Sequence, residues 1–310
     1  MNHAHPVPVN STSGVRVGLA RPRLQALWPY LLVAPALLVL MVTVMYPIGF
    51  NLFAAAHRWN LLESPTPQAF VAFDTLLKIL REPTFWNALR VTAVFTLLAV
   101  LIEFSVGIAL AFLVNEDIHG GRLIRTLLVA PIMATPLVVA LVFKLIWHSQ
   151  FGIVNYALSR VGIAPIAWLA EPVPALAAVL SVEIWHNTSF VFLVILGALQ
   201  MLPRSPFEAA LVEGATWWQR VRYIALPMLR PAILVALLFR LVFAIRVFDE
   251  IYVLTRGGPN GATETISILL YRSAFEYFDA AGAAGLSVIL LVLTGLLAWL
   301  LIRNLYTKTP

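Results

Sequence analysis

The chain has 310 residues, of which 61% are hydrophobic and 12% charged. Soluble domains run to about 25% charged and 45–50% apolar, so composition excludes an ordinary soluble enzyme or binding module and leaves an integral membrane protein. No cysteine is present, which excludes disulfide frameworks and thiolate metal or redox sites. The net charge of +6 comes from basic residues scattered in loops, a pattern of membrane topology and not of nucleic-acid binding.

Residues 1–27 hold His, Pro, Ser, Thr, Gly and arginines without an apolar run and read as a disordered cytoplasmic tail. The apolar stretch that follows is too long for a signal-peptide core and has no small-residue cleavage pattern after it, so it stays as an anchor. A spanning helix needs roughly 20 mostly apolar residues. That length predicts spans at about 29–53, 88–114, 126–147, 175–199, 232–254 and 283–302, a transmembrane domain over 28–303 and a short tail over 304–310. Cytoplasmic segments would then carry Arg16, Arg21, Arg23, Arg122, Arg125, Arg204, Arg220, Arg222, Arg230, Arg303 and Lys308. The opposite side would carry Arg58, Lys78, Arg81, Arg90, Arg160, Arg256, Arg272 and most of the acids. This asymmetry and an even helix count place both termini inside. The expected fold is an all-α membrane protein with six transmembrane helices.

Between the spans, Phe70–Leu80 is predicted as an outer amphipathic helix ending at Glu82-Pro83. Segment 148–174, rich in Gly and Pro, is expected to be irregular with short helices at most. The run Arg256-Gly257-Gly258-Pro259-Asn260-Gly261 must break the helix before it. Gly107 with Ala111, and the run Gly282-Ala283-Ala284-Gly285, would let helices approach closely in lipid.

The segment 200–231 carries two helix-start signals. Ser205 to Glu208 reads as a capping box with Pro206 at the first helical position, and Thr216 to Gln219 repeats the pattern. Gly214 lies between them, where a helix ending in a left-handed residue requires glycine. Phe207, Leu211 and Gly214 make one stripe, and Trp217, Val221 and Ile224 a second. The residues alone fit two readings equally: a docking element, or a hairpin resting on the membrane surface with Trp217 and Trp218 among the headgroups.

Glu103, Glu183, His186, Arg240 and Arg246 fall at mid-membrane, with Asp249 and Glu250 nearer the outer face. Each charge at the bilayer centre costs at least about 2.5–3.5 kcal/mol, so each should face protein or water. Arg246 can pair with Asp249 or Glu250 at i+3 and i+4. Such charges serve equally as interhelical locks or as ligand contacts. Lys144, near Trp147, reads as a snorkelling residue. The run Glu183-Ile184-Trp185-His186-Asn187 offers hydrogen-bonding groups and an aromatic face, the chemistry a sugar needs. No catalytic or metal-ligating constellation stands out. No phosphate-binding Gly-x-x-x-x-Gly-Lys-Ser/Thr loop is present, so ATP-driven work would need a separate subunit. A secondary active transporter would instead couple ions through Glu103 and Glu183, but the inverted repeats common in such proteins are not seen.

Glu208-Ala209-Ala210, then Gly214-Ala215, then Ile224-Ala225-Leu226-Pro227 and Pro231 resemble the EAA loop of ABC importer permeases. Glu213 stands where that family usually has Asp. Phe248-Asp249-Glu250-Ile251-Tyr252-Val253-Leu254-Thr255, Gly257-Gly258-Pro259 and Thr263-Glu264-Thr265 resemble the signature of the sugar-type permeases, as does Glu82–Leu89. Just upstream, Val71-Ala72-Phe73-Asp74 departs from that pattern. The resemblance spans roughly 28–303 and implies a type I importer permease in a bacterial cell membrane. It implies a second homologous permease, two ATP-binding cassette subunits that use ATP and Mg, and an extracytoplasmic sugar-binding protein. It assigns ATPase coupling to Glu208, Ala209, Ala210, Glu213, Gly214 and Trp217. The substrate pathway would draw on Glu183, Trp185, His186, Asn187, Arg246 and Asp249, with no cofactor bound by this chain. Short outer loops and an arginine-rich composition are similar to actinobacterial disaccharide systems, which implies a sugar such as trehalose.

Overall fold

The computed structural model describes residues 22–116 and 120–306. The expected tails over 1–27 and 304–310 therefore lie largely outside the described residues, and from Pro22 the chain is already helical. Among the described residues the regular elements are helices, joined by one isolated antiparallel bridge between His57 and Phe70.

The chain divides into two compact units, residues 1–50 and 51–310. In the first, helix α1 (Pro22–Leu40) runs into a turn of π-helix at Met41–Met45. Its apolar side chains, such as Leu32 and Leu38, are exposed, which suits lipid and not water.

The boundary falls within α2 (Tyr46–Ala55), and the second unit continues with α3 (Asp74–Arg81), α4 (Pro83–Asn115), α5 (Gly121–Val129), α6 (Pro136–Ile146), α7 (Ile153–Arg160) and α8 (Pro172–Gln200). Next come α9 (Ser205–Val212), α10 (Trp217–Arg220), α11 (Leu226–Ile245), α12 (Asp249–Leu254), α13 (Ile266–Phe275) and α14 (Ala280–Tyr306). Proline opens α4, α6 and α8. The residue before each (Glu82, Thr135 and Glu171) is extended, because a following proline ring disfavours the helical region there.

Among the described residues five helices are long and apolar enough to cross a membrane, or six if one bent pair counts as a single span. That pair corrects the expected span at 126–147. The chain bends by 101° between Gly121–Met133 and Pro136–Ile146, because Pro136 forces Thr135 out of the helix. The expected span at 232–254 lies within one membrane-length stretch, Trp217–Leu254, interrupted where α11 ends at Ile245 and α12 begins at Asp249. The amphipathic outer helix starts at Asp74 and not at Phe70. Phe70 bridges to His57, Val71 N–H donates to the Ala56 carbonyl, and Ala72 sits at φ +50°. Segment 148–174 is irregular around the short α7, as expected.

The core is the packing of α4 against α8, with α11 across both. Gly107 permits that approach, since a Cβ there would lie 2.8 Å from the Val191 side chain. Phe95, Val179, Val182 and Ile251 fill the half of the bundle nearer α6 and α12. Phe192, Ile195, Ala111 and Leu229 fill the half nearer α9 and α10.

Candidate translocation core and coupling loop

The two broken helices meet. α6 and α12 pack on each other and on α8, and the ends left open by the breaks find side-chain partners. Lys144 Nζ donates to the Val253 carbonyl at 2.8 Å, which ties α6 to the last turn of α12. His186 on α8 reaches both breaks. Its Nε2 lies 3.2 Å from the Ala134 carbonyl, and its Nδ1 lies 3.5 Å from Glu250 Oε1. A carbonyl stranded at a helix break inside lipid needs such a partner.

One helical turn earlier on α8, Glu183 belongs to a buried triad. Arg240 on α11 donates from Nε and Nη2 to the two oxygens of Glu103 on α4, at 2.7 and 2.8 Å. The same Nη2 lies 2.7 Å from Glu183 Oε1. All three side chains are at most 4% exposed. One guanidinium thus clamps two carboxylates from different helices. Breaking such a set exposes an uncompensated buried charge, which costs about 3–5 kcal/mol. Glu103 and Glu183 are thus both engaged by Arg240.

Arg246 and Asp249 behave differently. The helix ends between them, so the expected i+3 and i+4 register is lost. Among the described residues no ion pair joins Arg246 to Asp249 or Glu250, and both Arg246 and Asp249 are exposed. Glu250 turns inward toward His186 instead.

The run around Glu183 also divides. Glu183 and His186 are buried, and Asn187 is half-buried with its Nδ2 donating to the Glu183 carbonyl at 3.3 Å. Trp185 points to the other side of α8, 47% exposed, with its ring centroid 5.3 Å from that of Phe143. It lies beside an apolar groove of about 490 Å³ with Val106, Leu128, Pro131 and Ile184. The aromatic and the polar groups therefore do not face one ligand. Helical spacing explains this, since two residues along a helix is more than half a turn.

At the far end of the bundle, α9 and α10 form an elbow. The Ser205–Glu208 capping box is not made. Arg204 is already helical and precedes Ser205 without a side-chain cap, so Ser205 sits inside the helix start. The other features are present. Gly214 has φ +79°, and the bonds Gly214 N–H to Leu211 O (3.0 Å) and Ala215 N–H to Ala210 O (2.9 Å) complete a Schellman closure. Nothing lies within 4 Å of a Cβ built on Gly214, so backbone conformation, not crowding, demands glycine. Thr216 and Gln219 make the capping box reciprocally: Gln219 N–H donates to Thr216 Oγ1 at 3.3 Å and Thr216 N–H to Gln219 Oε1 at 2.7 Å. Phe207 packs inward on the cluster of Ile195, Leu199 and Leu229. Glu208, Ala209, Glu213 and Gly214 are exposed, Ala210 is half-buried, and Trp217 lies edge-on to Phe112 at 6.3 Å while 45% exposed. A cavity of about 670 Å³ beside the elbow is lined by Arg204, Arg220, Glu116, Asn115 and Trp217.

At the opposite end, the turn after α12 is held tightly. Thr263 Oγ1 donates to the Gly258 carbonyl and lies 2.7 Å from Thr255 Oγ1. Asn87 Nδ2 donates to the Gly261 carbonyl at 3.0 Å, and Arg272 pairs with Glu264 at 2.6 Å. Gly257 and Gly261 take φ of +85° and +74°, so the glycine-rich run serves to fix this turn against the start of α4.

The whole architecture is that of a solved bacterial importer of the acidic polysaccharide alginate. The two share 23% identity and superpose with a TM-score of 0.81 over 93% of this chain and 98% of that one. A bundle of membrane-length helices with a charged lock inside and an exposed elbow at one end is a type I ABC importer permease, a multi-pass inner-membrane transport subunit and not an enzyme. The chain belongs to the family of binding-protein-dependent transport system inner membrane components, whose profile matches residues 104–306. It is 35% identical over 281 residues to the trehalose transport system permease protein SugA of Mycobacterium tuberculosis, covering 91% of this chain and 89% of that one. It is 34% identical over 265 residues to the trehalose/maltose transport system permease protein of Thermococcus litoralis, covering 86% and 88%.

Proposed function

We propose that this chain is one half of the pathway of an ATP-driven sugar importer, with a disaccharide such as trehalose as cargo. The observation that carries this is similarity of about one third over nearly the whole chain to permeases named for trehalose and maltose. The alginate importer has also been solved with its pentasaccharide-bound periplasmic protein, at 26% identity and a TM-score of 0.77. By that likeness the end of the bundle around Asn87 and Gly261 receives an extracytoplasmic sugar-binding protein.

The coupling role falls to the elbow around Glu208, Ala209, Ala210, Glu213, Gly214 and Trp217. Phe207 roots it in the bundle while its acidic and small residues stay open, the arrangement expected of an element that docks into an ATP-binding cassette subunit. That side is then cytoplasmic, with both termini. A second, homologous permease completes the pathway, and two cassette subunits use ATP and Mg. Asn187, Arg246 and Asp249 remain the polar groups of this chain best placed to meet cargo, whereas Glu183 and His186 act from behind by holding the helices and Trp185 looks away.

The test is to purify the tagged chain co-expressed with its neighbouring transport subunits and reconstitute the complex. Uptake of a panel of radiolabelled disaccharides is then measured. ATP-dependent accumulation of trehalose supports the reading. Failure to retain any ATPase subunit, or uptake driven by an ion gradient alone, would overturn it.

A further inference from the structure

Two aromatic pairs, each spaced four residues apart, meet where α12 faces α13. Phe248 and Tyr252 stack with centroids 5.2 Å apart and planes 18° from parallel. Tyr271 and Phe275 lie 5.0 Å apart. The pairs join through Phe248 with Tyr271 at 5.2 Å and Tyr252 with Tyr271 at 4.9 Å. The Tyr252 and Tyr271 hydroxyls are 3.2 Å from each other, and the Arg256 guanidinium sits 5.6 Å from the centre of the Tyr252 ring. Phe275 is 64% exposed and the other three rings are half-buried.

A core cluster would be closed, yet this one is open. The Arg256 guanidinium over the Tyr252 ring, and the exposed Arg246 and Asp249 in the residues leading into it, add charged hydrogen-bonding groups to the ring faces. What suits the corner is a ligand with alternating C–H faces and hydroxyl groups. Ring faces cover the C–H surface, while tyrosine hydroxyls, a carboxylate and guanidinium donors take the hydroxyls.

We propose that Phe248, Tyr252, Tyr271 and Phe275 form a sugar-stacking subsite, rimmed by Asp249 and Arg256, on the half of the bundle away from the elbow. It rests on the sugar-importer reading and adds to it a place where cargo is held before the helices move. The helix break at 246–248 creates the site, because restarting at Asp249 turns Phe248 and Tyr252 toward α13. The cargo class it selects is a neutral glycoside long enough to stack on more than one ring.

The test uses the full reconstituted complex with radiolabelled trehalose and maltose as probes. Tyr271→Leu removes a ring face and a hydroxyl, Tyr271→Phe removes the hydroxyl alone, and Phe275→Leu changes a ring that is 64% exposed. The expected rise in uptake KM is about tenfold for Tyr271→Leu, about threefold for Phe275→Leu and about twofold for Tyr271→Phe, with maximal rate kept within about twofold. Unchanged KM in all the variants, beside a wild type that accumulates sugar, would overturn the subsite alone. A wild type that accumulates neither probe would overturn the sugar reading and the subsite with it. Loss of the second permease from the Phe275→Leu complex on size-exclusion chromatography, with unaltered KM in what remains, would show a subunit interface and overturn the subsite.

Discussion

The triad of Glu103, Glu183 and Arg240 and the elbow around Gly214 use charge in opposite ways. In the triad, Arg240 holds both carboxylates through contacts of 2.7–2.8 Å, and the three side chains have almost no exposed surface. In the elbow, Glu208 and Glu213 stand open, while order is supplied by backbone devices: a left-handed glycine and a reciprocal cap. The contrast separates what holds the bundle from what is left available to a partner. Buried charge fixes three helices to one another; the charge on the elbow is left exposed.

Breaking the lock should have the largest effect. Arg240→Leu leaves two carboxylates buried without their cation and should lower stability by about 3–5 kcal/mol. Thermal unfolding in detergent would show it as a lowered midpoint and poor recovery from membranes. Replacing Glu103, Glu183 and Arg240 together by Leu should cost clearly less, because no charge is then stranded. An equal loss in both would mean that packing, and not charge pairing, holds this region.

Breaking the elbow should be milder for the fold and severe for coupling. Gly214→Leu forces a branched side chain into the left-handed region at about 1–2 kcal/mol, in a turn with free space around it. Membrane insertion and the unfolding midpoint should stay near wild type while binding-protein-stimulated ATP hydrolysis falls at least about tenfold. Gly214→Asn, which tolerates that conformation better, should retain part of the activity. Thr216→Ala removes only the cap, worth about 1 kcal/mol, and a two- to fivefold loss of stimulated hydrolysis is expected for about that energy. The smallest effect is expected at the cargo face, where Asn187→Leu should raise uptake KM by about twofold without changing complex assembly.

Much of this architecture is legible in the sequence because lipid makes the code coarse. Length and hydropathy alone locate the spans, and Gly214 with Thr216-x-x-Gln219 announces the elbow before any packing is known. The breaks are harder to read. Pro131 and Pro136 lie within the expected span at 126–147 and are the missed signal for its bend. The interruption at 246–248 has no Pro or Gly, only the charges of Arg246, Asp249 and Glu250. Triad pairing could not be read, since Arg240 chooses partners 137 and 57 residues away, a decision made by helix packing. The same holds for Trp185, whose sequence neighbours suggested a shared site that helical rotation denies. The aromatic corner did have a local trace, four-residue spacing in both Phe248/Tyr252 and Tyr271/Phe275, but nothing local says that the two pairs meet.

The absence of cysteine from this chain makes the central claim directly measurable. A single cysteine introduced by Ser205→Cys, at the exposed start of the elbow, can be cross-linked in membranes holding the whole complex. The account predicts an ATP-modulated cross-link to the ATP-hydrolysing subunit. A cross-link to the extracytoplasmic binding protein, or none to the ATPase while the complex still transports, would contradict it.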